Sequence, residues 1–331
     1  MPNLKKTLLF LLIAITPLLL TANDDRPPIK YDFLSKKQTQ HFVNTMVTKY
    51  HFKRSYMNKI MKDARLDRDT LNRYTGKYKS GSTVGTWERF KAHVLDPETL
   101  KKAKKFKRKH QKILRKAARD YNVPPEYIIG FLAVESKLGT YTGDYRTLDA
   151  LTTLAFNKNR MQKYFRSELK HFFLMCREEG YDPRRVKSSF AGAMGCAQQM
   201  PSVYRRYGLD YNKDGKKDPW CIEDCVGIIA KFMHQNGWKN GAQVAIKARY
   251  KGKRFKGLRT GYKHRYTLST LKKHGVTPRS HFRESKASLI KLRNDTHDEL
   301  WLGAKNFRVL TRYNASSNYG MAIHKIAQAV R

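Results

Sequence analysis

Between Leu100 and Tyr121 the chain reads "LKKAKKFKRKHQKILRKAARDY", a run of lysine and arginine broken by apolar residues at helical spacing. Leu100, Ala103, Phe106, Ile113, Leu114, Ala117 and Tyr121 form the buried stripe of a helix and leave the cations on the solvated face. A segment this basic can bury apolar surface only through such a stripe, so it constrains the chain towards packed helices. Asp96 before Pro97 supplies an N-cap and a first-turn residue.

A second helix follows in "VPPEYIIGFLAVESKLG". Pro124 and Pro125 suit its first turn, and Ile128, Phe131 and Leu132 mark an apolar face. Glu135 falls at the centre of that face, where a leucine is expected. One reading is a buried ion pair with one of the many cations. The other is a general acid, because apolar surroundings disfavour the charged carboxylate and raise its pKa towards neutrality.

The 331 residues carry a formal net charge of +41. Nucleic acid is the usual partner for such a balance. Here the cations are spread along the chain as solvated helix faces, so no specific nucleic-acid partner is expected. Lys5 and Lys6, the apolar run Leu8–Leu20 and the polar stretch after Ala22 have the layout of a signal peptide over 1–22. An exported, periplasmic protein is expected, with an uncleaved membrane anchor as the alternative; no lipoprotein is expected, since no cysteine follows the run. Anionic envelope polymers are then the fitting partners, and a monomer is expected. Cys176, Cys196, Cys221 and Cys225 show no zinc spacing and read as structural, with room for one bridge.

The loop "DYNKDGKKD" is acidic for this chain. Asp210, Asn212 and Asp214 stand at positions 1, 3 and 5 of an EF-hand pattern, with Gly215 at the sharp turn and the Lys216 carbonyl at position 7. Cys221 occupies position 12, so a lengthened loop closed by Asp224 is expected to hold calcium as a structural ion. The alternative is an Asx-rich surface turn. After Gly241, "QVAIKARY", "HRYTLS" and "ASLIKL" read as short strands, before a last helix in "SSNYGMAIHKIAQAV".

Three stretches together, "VPPEYIIGFLAVESKLGTYTGDYRTLDALTTLAFN", "SSFAGAMGCAQQMPSVYRRYGLDYNKDGKKDPW" and "LTRYNASSNYGMA", resemble the lytic murein transglycosylases of the B type, glycoside hydrolase family 103. The resemblance implies a mainly α protein: a goose-lysozyme-like helical core with a flanking α domain, a small β domain and an EF-hand-like loop. On this chain that gives an N-terminal helical domain over 28–120, a catalytic core over 121–241 with the loop at 210–224, and a small β portion with a returning C-terminal segment over 242–331. It implies non-hydrolytic cleavage of the β-1,4 bond between N-acetylmuramic acid and N-acetylglucosamine, leaving 1,6-anhydromuramic ends, with no organic cofactor. Glu135 would be acid and then base. Ser189, Met194, Gln198, Tyr313, Asn314 and Tyr319 would meet the substrate, Tyr313 both bordering sugar and positioning the Glu.

This chain departs from the family pattern at Leu138 and Cys196, where aromatic residues are common. Two other readings stay open: a hydrolytic muramidase on the same fold, and a non-catalytic protein binding murein or other polyanions.

Overall fold

The computed structural model describes residues 26–75 and 84–331. The expected signal peptide lies outside the described residues. Two compact units divide the described chain, one drawn from 84–140 and 225–331, the other from 26–75 and 141–224. Helices dominate, with a small sheet portion. Among the described residues no helix is long and apolar enough to cross a membrane.

In the first unit the basic stretch forms two helices, Pro97–Lys109 and Gln111–Tyr121, where the sequence reads as one. Asp96 caps the first by accepting the Thr99 N–H at 2.9 Å. The break falls at His110, whose N–H closes on the Phe106 carbonyl and whose ring tilts over the Phe106 ring at 4.3 Å. Like charges four residues apart, such as Lys101/Lys105 and Lys105/Lys109, weaken the helix leading into it. The break lets each half bury its own residues, Ala103 and Phe106 in one, Leu114 and Ala117 in the other.

Helix Pro125–Ser136 is buried at every residue from Tyr127 onward, so it is a central helix and not the amphipathic one its spacing suggests. It packs along helix Ser317–Ala329. Gly130 permits the close approach: a Cβ there would stand 2.8 Å from the Ile323 carbonyl oxygen. A third helix, Lys305–Tyr313, buries Phe307, Leu310 and Tyr313.

The β portion of this unit is a five-stranded antiparallel sheet. In spatial order its strands are Tyr266–Thr267, Lys286–Arg293, Asp298–Gly303, Ala245–Tyr250 and Val276–Pro278. The long hairpin pairs Ile290 with Trp301 and Ser288 with Gly303. Phe255, Leu271, Phe282, Leu289, Leu300 and Leu302 fill its core.

The second unit packs helices Lys37–Tyr50, Arg54–Asp63, Arg68–Thr75, Thr147–Phe156 and Gln162–Glu179 around Phe33, Met46, Met57, Phe165, Phe172 and Phe173. Two short pairings tie its segments: Ile29–Lys30 with Arg65–Leu66, and Tyr145–Arg146 with Lys187–Ser188. The second pairing brings the loop after residue 140 against Ser188. Gly143, at φ +104°, allows this, because a Cβ would lie 2.1 Å from the Ser188 carbonyl carbon.

Candidate active site

Glu135 sits on the last turn of helix Pro125–Ser136 and is 7% exposed. Its Oε1 accepts a hydrogen bond from the Tyr319 hydroxyl at 2.6 Å. Its Oε2 is buried and finds no hydrogen-bond partner among the described residues. Burial pushes the carboxyl up to about 8, while the Tyr319 bond pulls the other way by favouring the charged form. The same burial, with Glu135 beside it, holds the Tyr319 hydroxyl well above its ordinary value, so Tyr319 remains a donor. At neutral pH Glu135 therefore carries a proton.

Aromatic packing fixes this pair. Phe131, one turn before Glu135, meets the Tyr319 ring edge-on at 6.0 Å and the Tyr313 ring at 5.1 Å. Tyr313 also packs edge-on against Phe232 at 4.8 Å. Asn314, buried and extended, ends helix Lys305–Tyr313, and Ser316 caps the next helix by accepting the Tyr319 N–H at 3.3 Å. The sequence pattern gave Tyr319 only a place beside the substrate; the structure bonds it to the carboxyl itself. Behind Glu135 the chain turns sharply, with Lys137, Leu138 and Gly139 all left-handed. Ser136 braces that turn, its Oγ accepting the Gly139 N–H at 2.9 Å.

Tyr319→Phe removes the one bond that opposes burial. The expected result is an alkaline limb of the pH–rate profile shifted above the parent's, with a lower rate. An alkaline limb that stays in place would show that Tyr319 does not tune Glu135.

The other expected contacts lie in the second unit. Ser189 closes a tight turn, its Oγ accepting the Ala193 N–H at 3.1 Å while its carbonyl takes the Gly192 N–H at 2.9 Å. Met194 is buried and pairs with Gln199 through both backbone directions. Gln198 holds a left-handed φ of 46°, and its Nε2 donates to the Thr142 and Gly195 carbonyls at 3.0 and 2.9 Å. Its amide thus clamps two loops. Cys196 is buried, its Sγ 3.2 Å from the Trp220 carbonyl oxygen. The cysteines are free thiols, Cys176, Cys196, Cys221 and Cys225 alike.

In the acidic loop the side-chain oxygens turn onto the loop's own backbone. Asp210 accepts the Asp214 N–H at 3.1 Å and the Gly215 N–H at 2.9 Å, and Asp214 accepts the Lys216 N–H at 3.0 Å. Asn212 Oδ1 accepts the Asp214 N–H at 3.1 Å. Asp224, fully buried, accepts the Tyr211, Asn212 and Asp218 N–H groups. Among the described residues no group of three or more His, Cys, Asp or Glu side chains is placed to hold a metal. The donor set is all oxygen and suits a hard cation, and Gly215 at φ +90° gives the turn such a loop requires. In their present positions these oxygens serve as Asx turns.

A helical protein that buries one protonated carboxyl beside tyrosines has the makings of a glycoside-cleaving enzyme. The transglycosylase SLT domain matches residues 35–328, so the chain belongs to that family and is by class a peptidoglycan-degrading lytic transglycosylase. It is 37% identical over 306 residues to membrane-bound lytic murein transglycosylase B of Escherichia coli K12, across 90% of this chain and 84% of the relative. The solved structure of the Escherichia coli lytic transglycosylase SLT35 in complex with bulgecin A is similar at a TM-score of 0.85 and 36% identity, covering 92% of this chain and 95% of that one. The same enzyme in complex with calcium is similar at a TM-score of 0.83 and 36% identity, covering 92% and 95%.

Proposed function

We propose that the chain cleaves the β-1,4 bond between N-acetylmuramic acid and N-acetylglucosamine in peptidoglycan without water, leaving a 1,6-anhydromuramic end. The observation that carries this reading is the solitary, protonated Glu135. Burial raises its pKa against the opposing pull of the Tyr319 bond, and no neighbouring carboxylate contributes to the shift. Common glycosidases need two carboxyl groups, whereas substrate-assisted ones dispense with the second. Glu135 donates its proton to the glycosidic oxygen as that bond breaks. The N-acetyl oxygen of the sugar stabilises the positive C1. The C6 hydroxyl then attacks C1 and returns its proton to Glu135, so one group acts as acid and then as base.

Ser189, Met194, Gln198, Tyr313 and Asn314 are assigned to substrate contact on the family pattern. The periplasm is the proposed compartment, and the chemistry requires no organic cofactor. Mass analysis of products from purified murein tests the reaction: the anhydro product is lighter than a hydrolysed one by one water. Hydrated ends alone would replace this reading with a hydrolytic muramidase.

Calcium is proposed as a structural ion of the acidic loop, with Asp210, Asn212, Asp214, the Lys216 carbonyl and Asp224 as its oxygens. It would neutralise carboxylates and tie the loop's ends together. Because such an ion binds the native state, the melting temperature should rise with calcium concentration. Identical melting in chelator and in calcium would remove the ion from the account.

The basic helices supply a further expectation. Lys101, Lys105, Arg108 and Lys112 are exposed. If they recruit anionic polymer, changing them to Glu weakens binding to whole sacculi at low salt, where screening is least. Turnover of a short soluble glycan should hardly change. A parallel loss of both activities would show that the cations act on the site or the fold.

A further inference from the structure

The second unit contains a cavity of about 590 Å³ whose lining includes none of the residues assigned above. In a chain with 68 basic and 27 acidic residues, it gathers Asp67, Asp69, Asp144 and Asp149 alongside three arginines, Arg26, Arg65 and Arg146. Two of these are already matched. Asp149 takes Arg146 at 2.6 and 2.8 Å together with the Arg65 N–H at 2.8 Å. Asp69 takes Arg73 at 2.8 Å and the Tyr145 hydroxyl at 2.5 Å. These bonds make fixed walls.

Asp67 and Asp144 remain. Asp67 is 7% exposed, and its Oδ1 accepts the Thr70 N–H at 2.8 Å at the start of helix Arg68–Thr75. No basic side chain among the described residues forms an ion pair with it. Burial, with Asp69 and Asp149 adding to it, raises its carboxyl. A buried carboxylate without a counter-ion is costly unless a ligand supplies one. Asp144 is exposed and likewise outside any ion pair among the described residues. Beside it the Tyr141 ring is 42% exposed, unusual for a large side chain here, and Asp144 bears on its hydroxyl. Two unmatched carboxylates and an open aromatic face suit an organic cation.

We propose that this cavity binds a primary ammonium group, with Asp67 and Asp144 as its counter-charges and Tyr141 as the ring beside it. The inference rests on the peptidoglycan reading for its source: the free side-chain amine of a diamino acid in a peptide stem. Arg65 favours that source over an amino sugar. It lines the same cavity outside any ion pair among the described residues, and so offers a cation to a stem carboxylate, which a sugar amine lacks.

The test titrates the full chain calorimetrically with a glycan-free stem tripeptide ending in a diamino acid whose amine and carboxylate are free. Asp144→Asn, Asp67→Asn and acetylation of that amine are each expected to weaken binding roughly tenfold or more, by removing one charge of a close pair. Asparagine keeps the acceptor for Thr70, so the fold should persist; should Asp67→Asn unfold, the other two arms still decide. Undiminished binding of the acetylated tripeptide, or of Asp144→Asn, would overturn the proposal. So would binding of a glucosamine oligomer where the tripeptide fails. Cleavage of peptide-free glycan, measured alongside, should be untouched by Asp144→Asn. If the parent fails there while binding the tripeptide, the catalytic reading falls and this one stands.

Discussion

Glu135→Gln is expected to lower murein turnover at least a hundredfold, roughly the range that general acid–base catalysis contributes, while sugar binding survives. The amide is nearly isosteric and can accept the Tyr319 hydroxyl, but it can neither give nor receive the proton. Turnover above a hundredth of the parent would sink the assignment. The same change carries a stability signature with a definite sign. The folded carboxyl keeps its proton up to about 8, whereas in the unfolded chain it loses it near 4.5. Between those values the folded state binds more protons, so the parent loses stability as pH rises through the window. Gln does not titrate. The melting-temperature gap between variant and parent should therefore be smallest below about pH 4.5 and widest above about pH 8, in favour of the variant. A gap that does not grow with pH would contradict the buried acid.

Gly130→Ala is expected to destabilise, against the ordinary trend. In a helix interior alanine is favoured over glycine by about 1 kcal/mol. Here the added Cβ would stand 2.8 Å from the Ile323 carbonyl oxygen and 3.0 Å from its Cγ2. The oxygen belongs to a backbone and cannot rotate away, so two central helices must part. Overpacking of this kind costs about 1–3 kcal/mol, which outweighs the propensity gain. Parting the helices would also lengthen the bond from Tyr319 to Glu135. Thermal melting should show the loss, and the rate at neutral pH should fall with it. A variant as stable as the parent would show that the helices can slide apart freely.

What the letters conveyed depended on how local the cause was. The basic helices were legible because stripe and solvated face lie within each segment. Their break at His110 was not, since the apolar spacing continues across it. The strands at Ala245–Tyr250 and Lys286–Arg293 announced themselves through β-branched and alternating residues, whereas Asp298–Gly303 begins with two acids and ends in glycine. Glu135 stood out because a carboxylate interrupted an apolar face. That its helix is buried all round depends on partners distant in sequence. The bond from Tyr319 spans 184 positions and leaves no periodic trace. The acidic loop is ambiguous for a different reason: cation sites and Asx turns use the same oxygens and the same glycine.

The bond between Tyr319 and Glu135 also ties competence to completion. Glu135 is made early, but the helix that buries it and supplies its hydroxyl comes after the whole β portion. Closing so large a separation carries an entropy cost that must be met before the contact gives anything back. Before helix Ser317–Ala329 docks, the carboxyl is hydrated and, at its ordinary value of 4.5, ionised at neutral pH. On the proposed mechanism, a chain without helix Ser317–Ala329 in place therefore lacks its acid.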